Sequence, residues 1–120
     1  MSVQIVGGSV SPSTALTLNA QTGTTYTFVL TDANNTLVTA SNASAQTYTI
    51  PPNSSVAYPI GSQLNIIQIG AGQVSFAQGS GVTIASNGAT STAPKLRVQY
   101  SSASAIKVGT DSWYVVGDIS

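Results

Sequence analysis

A chain of 120 residues has the size of one domain and enough interior for a single apolar core without disulfides or a structural metal. It contains no Cys and no His, three basic and three acidic residues, and a net charge of zero. This composition rules out thiol chemistry and imidazole catalysis, and it argues against nucleic acid or an anionic membrane as partner, since both are held through many cationic contacts.

The polar role passes to neutral groups. Ser, Thr, Asn and Gln make 48 of the 120 residues, while 42% are hydrophobic. Apolar residues recur at period two, and strong helix formers such as Glu are missing, so the expected class is all-β. The expected architecture is a single antiparallel β-sandwich or small barrel of about nine strands behind an extended N-terminal arm.

The arm covers residues 1–23, with Gly7-Gly8, Pro12 and one short apolar cluster, Val3, Ile5 and Val6. The sandwich domain is expected over residues 24–120. Residues 25–31 put Tyr26, Phe28 and Leu30 on one face. Residues 46–50 do the same with Tyr48 and Ile50, residues 73–77 with Val74 and Phe76, and residues 82–85 with Val82 and Ile84. Residues 95–101 point Leu96, Val98 and Tyr100 inward, and residues 105–108 carry Ile106 and Val108. With the last strand they form a three-strand meander from Lys95 to Gly117. Gly70-Ala71-Gly72 reads as a hairpin turn, Gly79-Ser80-Gly81 as a second short turn, and Asn87-Gly88 lies in a loop over residues 86–94.

Two segments are apolar on both faces. Leu64 and Ile66 oppose Ile67 and Ile69, and Trp113 and Val115 oppose Tyr114 and Val116. An antiparallel sheet usually wets one face, so a doubly apolar strand calls for a second dry contact. Val3, Ile5, Val6, Ile67, Ile69, Tyr114 and Val116 are therefore the candidate protein-interface residues. Tyr58, in a Pro-rich loop, is a candidate ligand contact.

Catalytic and metal sites are not expected, and no cofactor is implied. Glu is absent, and Asp32, Asp111 and Asp118 stand in turns or after the last strand. Ser and Thr have no base to activate them, and no glycine motif enters a helix as a phosphate loop would. Lys95, Arg97 and Lys107 read as a solvated strand face. The first residues lack a basic, long-apolar secretory signal, so synthesis in the host cytoplasm is expected.

From Ile50-Pro51-Pro52-Asn53-Ser54-Ser55 and Pro59-Ile60-Gly61-Ser62, through Ile69-Gly70-Ala71-Gly72-Gln73-Val74-Ser75-Phe76 and Gly79-Ser80-Gly81-Val82-Thr83-Ile84, to Asp111-Ser112-Trp113-Tyr114-Val115-Val116-Gly117-Asp118, the chain resembles a small β domain of tailed-bacteriophage structural proteins. The resemblance implies a virion protein of the tail, fibre or capsid. The sequence opens at its own methionine with no shaft segment, so the expectation is a capsid decoration or cement protein. Its partners would be other copies of itself, as a homotrimer, and the major capsid protein or tail proteins, with no nucleic acid and no membrane. The alternative is a tail-associated or fibre-associated module that binds a host surface glycan.

Overall fold

The computed structural model describes residues 15–120. The chain is predominantly β. Its strands are β1 (Thr17–Gln21), β2 (Thr25–Thr27), β3 (Thr36–Ala40), β4 (Gln46–Ile50), β5 (Gln63–Gln68), β6 (Val74–Gln78), β7 (Thr83–Ala85), β8 (Ser102–Gly109) and β9 (Ser112–Gly117), with one 3-10 turn at Leu30–Ala33.

Up to β6, consecutive strands lie in different sheets. One sheet has the order β1-β3-β5-β8-β9-β7 and the other β2-β4-β6. From β1 to β6 the chain therefore winds between two sheets, and each strand from β3 on pairs with the one laid down a coil earlier, while β7, β8 and β9 all join the larger sheet. Within the coils the pairing is parallel: Val38 lies between Asn19 and Ile66, and Tyr48 between Tyr26 and Phe76. Only β5–β8 and β8–β9 are antiparallel, and β7 returns parallel to β9. The expected antiparallel arrangement is thus corrected to one mixed sheet of six strands and one parallel sheet of three.

Gly70-Ala71-Gly72 is not a hairpin turn. It carries the chain from β5 in one sheet to β6 in the other, directly over the preceding coil's turn. A Cβ on Gly72 would stand 1.8 Å from the Ser44 carbonyl oxygen, and one on Gly70 2.5 Å from the Asn42 nitrogen. Both positions need glycine because two backbones touch there.

Both sheets turn their alternate residues onto one core, which includes Phe28, Val38, Tyr48, Ile50, Leu64, Ile66, Phe76, Trp113 and Val115. Its aromatic part is continuous through the coils. Tyr26 and Tyr48 lie 5.5 Å apart, Phe28 and Tyr48 5.9 Å, and Phe28 and Phe76 6.4 Å. Such contacts are favourable beyond the area they bury.

Several expected strands differ. Leu30 does not face the core with Tyr26 and Phe28, because the chain enters the 3-10 turn and leaves Leu30 exposed. Residues 95–101 are not a strand of a meander. Lys95 and Leu96 make isolated bridges to Ser75 and Ile119, Leu96 is buried, and Val98 and Tyr100 are exposed. β8 has the opposite facing from the one expected: Ala103, Ala105 and Lys107 are buried, not Ile106 and Val108. Register explains it. Ala105 sits between Leu64 and Val115, and Ala103 opposite Ile66, where large neighbours leave room for small residues only. β1 falls within the segment expected as an arm, so paired structure begins before residue 24.

Candidate protein interface

The outer side of the larger sheet follows from its register. One row across it reads Leu18, Leu37, Asn65, Ser104 and Val116, and the next Ala20, Thr39, Ile67 and Ser102. A third reads Gln63, Ile106, Tyr114 and Ala85. Leu18 is 66% exposed, Tyr114 55% and Val116 52%, while Ile67 is half-buried. Ile69 lies just past β5 and is also half-buried.

No strand of this sheet turns a charged side chain outward, and the exposed Arg97–Asp118 pair stands past the end of β9, where Asp118 N–H donates to the Ser102 carbonyl at 3.0 Å. Asp32 and Lys107 are buried. Asp111 sits in the β8–β9 turn, where its Oδ1 accepts from the Asn53 backbone N–H at 2.7 Å. Arg97 and Asp118 form an exposed bidentate pair at 2.7 and 3.0 Å. The guanidinium and the Ser101 hydroxyl hold the Asp118 carboxyl below the usual carboxylate range. Lys95 flanks β6 in the smaller sheet.

The sequence pattern places Ile67, Tyr114 and Val116 correctly on the side away from the core. It misses Leu18, Leu37 and Ile106. Leu18 is hidden in the supposed arm. Ile106 reads as inward because Ile and Val outweigh Ala and Lys by hydrophobicity, and only the cross-strand neighbours reverse that choice. Val3, Ile5 and Val6 lie outside the described residues.

Tyr58 is corrected. It is 3% exposed, its ring stands edge-on to Trp113 at 5.3 Å, and its hydroxyl donates to the Val29 carbonyl at 2.8 Å. A phenol so enclosed has no face for a ligand. Lys107 is likewise no part of a solvated face. Its ammonium donates to Asn53 Oδ1 at 2.6 Å and to the Tyr58 carbonyl at 2.8 Å.

The only buried carboxylate among the described residues, Asp32, is fully engaged. Its Oδ2 accepts from the Tyr26 hydroxyl at 2.7 Å and the Val29 N–H at 2.9 Å, and its Oδ1 from Asn19 Nδ2 at 2.9 Å. This network fastens β1, β2 and the 3-10 turn. Burial, with help from Asp32, pushes the Tyr26 phenol up to about 12, and burial alone pushes Tyr48 up to about 12. Both phenols stay protonated in the fold while an unfolded phenol ionises near 10. Above about pH 10 the unfolded chain releases protons that the fold retains, so stability is full below pH 10 and is lost up to pH 12. For buried Tyr48 alone the loss is about 1.4 kcal/mol per pH unit. Urea melts at pH 9 and pH 11 should show it, and Tyr48→Phe should remove part of the slope.

A shallow groove of about 420 Å³ runs beside the outer face, lined by Ala85, Ser86, Asn87, Tyr114 and Val116. Among the described residues no group of three metal-ligating side chains occurs, and no helix is long and apolar enough to cross a membrane. No known family model matches the chain, and no curated protein matches it.

Proposed function

We propose that this protein is a structural component of a tailed-phage virion: a decoration or cement protein that binds other copies of itself, as a trimer, and the major capsid protein. Its two sheets are read as a β-sandwich whose strands run mostly parallel. The role is non-catalytic and needs no cofactor, nucleic acid or membrane.

One observation carries the reading: the strands of the larger sheet turn no charged residue outward, and they expose Leu18 at one edge and Tyr114 and Val116 near the other. Six strands at about 4.8 Å spacing make a face roughly 29 Å wide, and the five or six residues of β1, β3, β5 and β9 make it about 17–20 Å long over most of that width. Side-chain relief brings such a face toward the roughly 800 Å² per partner of a stable contact. The exposed Leu18, Tyr114 and Val116 side chains gain by leaving water. The resemblance over residues 50–120 supplies the virion setting. A cement protein acts by mass action, since it binds the assembled shell and not its separated subunits.

The double variant Tyr114→Lys/Val116→Lys places two cations at exposed positions of this face without touching the core. It should weaken self-association at least tenfold and lower occupancy on particles, while the urea midpoint of the dilute protein stays the same. Unchanged association would remove the face from the proposal.

The groove beside Tyr114 favours a second reading, a tail-associated or fibre-associated module that stacks a host sugar on the exposed ring next to Asn87 and Ser86. Glycan-array binding that vanishes in Tyr114→Ala would select it.

A further inference from the structure

The coils end differently at their two extremities. At the far end the larger sheet closes on β7, which is three residues long, and the smaller sheet is flanked by Pro94 and Lys95, with Phe76 N–H donating to the Pro94 carbonyl at 2.9 Å. Short strands, proline and lysine are the usual devices that keep a sheet edge from recruiting another chain. At the near end β1 and β2 are both edge strands among the described residues, and β1 has none of these devices. It is five residues long, Thr-Leu-Asn-Ala-Gln, without charge, proline or bulge.

Its hydrogen-bonding sides are fixed by β3. Thr17 N–H donates to the Asn35 carbonyl at 2.9 Å, and the Gln21 carbonyl accepts from Ser41 N–H at 2.9 Å. Odd-numbered residues therefore bond toward β3, and the N–H and C=O groups of Leu18 and Ala20 point away from β3.

From this geometry we infer that β1 pairs with β1 of a second copy, antiparallel, about a twofold axis at Asn19. Leu18 of each chain then exchanges both backbone hydrogen bonds with Ala20 of the other, four in all, and the exposed Leu18 side chains are covered. A twofold contact must be self-complementary. β1 meets that condition, because its two outward residues are placed symmetrically about Asn19 and it carries no charge to repel its copy. The contact rests on the backbone of the edge and shares only Leu18 with the outer face.

Backbone amide exchange tests the inference directly. The Leu18 and Ala20 amides should exchange at least tenfold more slowly in concentrated than in dilute protein. Ala20→Pro deletes one outward N–H and no bond to β3, so it should keep the dilute fold and weaken this association at least tenfold, whereas Ala20→Ser should not. Tyr114→Lys should leave the concentration-dependent protection in place. Equal exchange at both concentrations would overturn the inference. So would protection independent of concentration, which would mean that the edge is occupied within one chain. Loss of edge protection in Tyr114→Lys would also overturn it, by making the two surfaces one contact. Exchange in the unaltered chain decides the matter even if Ala20→Pro does not fold.

Discussion

Gly72→Ala should cost about 3 kcal/mol of stability, the upper range for forcing extra volume into a packed interior. A methyl group there would stand 1.8 Å from the Ser44 carbonyl oxygen and 2.7 Å from that of Asn42. Both are backbone atoms of the turn beneath, so no side chain can swing aside. The strand stack would have to open between the second and third coils, where Gly72 N–H donates to the Asn42 carbonyl at 2.8 Å. Gly61→Ala is the matched control. Gly61 has φ +90, but a methyl group added there would meet nothing within 4 Å, so only the left-handed backbone penalty of about 1–2 kcal/mol applies. Urea denaturation of both variants separates the two causes, and a Gly72→Ala loss no larger than that of Gly61→Ala would show that the turns are not in contact.

Lys107→Ala should be at least as damaging, at about 4 kcal/mol. Two effects add. The aliphatic stem is buried opposite Trp113 in the β8–β9 ladder, and removing a long buried side chain leaves a cavity worth about 2–5 kcal/mol. The Asn53 side-chain oxygen and the Tyr58 carbonyl also lose their donor, at about 1–3 kcal/mol for a buried acceptor left unpaired. Lys107→Met keeps the stem and removes only the donor, so it should lose about half as much. Thermal or urea melts of the pair measure the split. Equal losses would assign the whole effect to the ammonium.

Lys107 also shows where sequence pattern stops being informative. Alternation identifies the inward and outward sides of β9 and the full extent of β4, because Trp113 and Val115, and Tyr48 and Ile50, are larger and more apolar than the residues between them. In β8 the same rule selects the wrong side, because its inward residues are matched to large partners on β5 and β9 and one of them is a lysine with its own acceptors. Nothing in Ala-Ser-Ala-Ile-Lys-Val reveals that matching. The strand direction is hidden for a similar reason. Period-two alternation is the same in parallel and antiparallel sheets, and a glycine-rich turn can close a hairpin or cross to the opposite sheet. A repeat would have disclosed the coils, and traces of one exist in Thr25-Tyr26-Thr27-Phe28 and Thr47-Tyr48-Thr49-Ile50. Unequal coils obscure it: 19 residues separate Thr17 from its partner Thr36, and 28 separate Leu37 from Asn65.

The candidate interface is legible in part. Tyr114, Val116 and Ile67 can be read as lying away from the core because each neighbours a larger or better-buried apolar residue of the same strand. Leu18 and Leu37 join them only through the β1–β3–β5 register, which a sequence without an evident repeat does not provide. Tyr58 has the setting of a loop aromatic free to meet a ligand. Its ring instead fills the space against Trp113 and its hydroxyl satisfies a backbone carbonyl, both long-range contacts.

Whether this chain seeks its own kind is best decided by multi-angle light scattering on the unaltered protein, from low micromolar to several hundred micromolar. A mass that climbs to a defined multiple of the single chain is the expected result. A particle of one chain throughout that range would mean that the uncharged sheet face tolerates water unaided, and the proposal of a self-assembling virion component would fail.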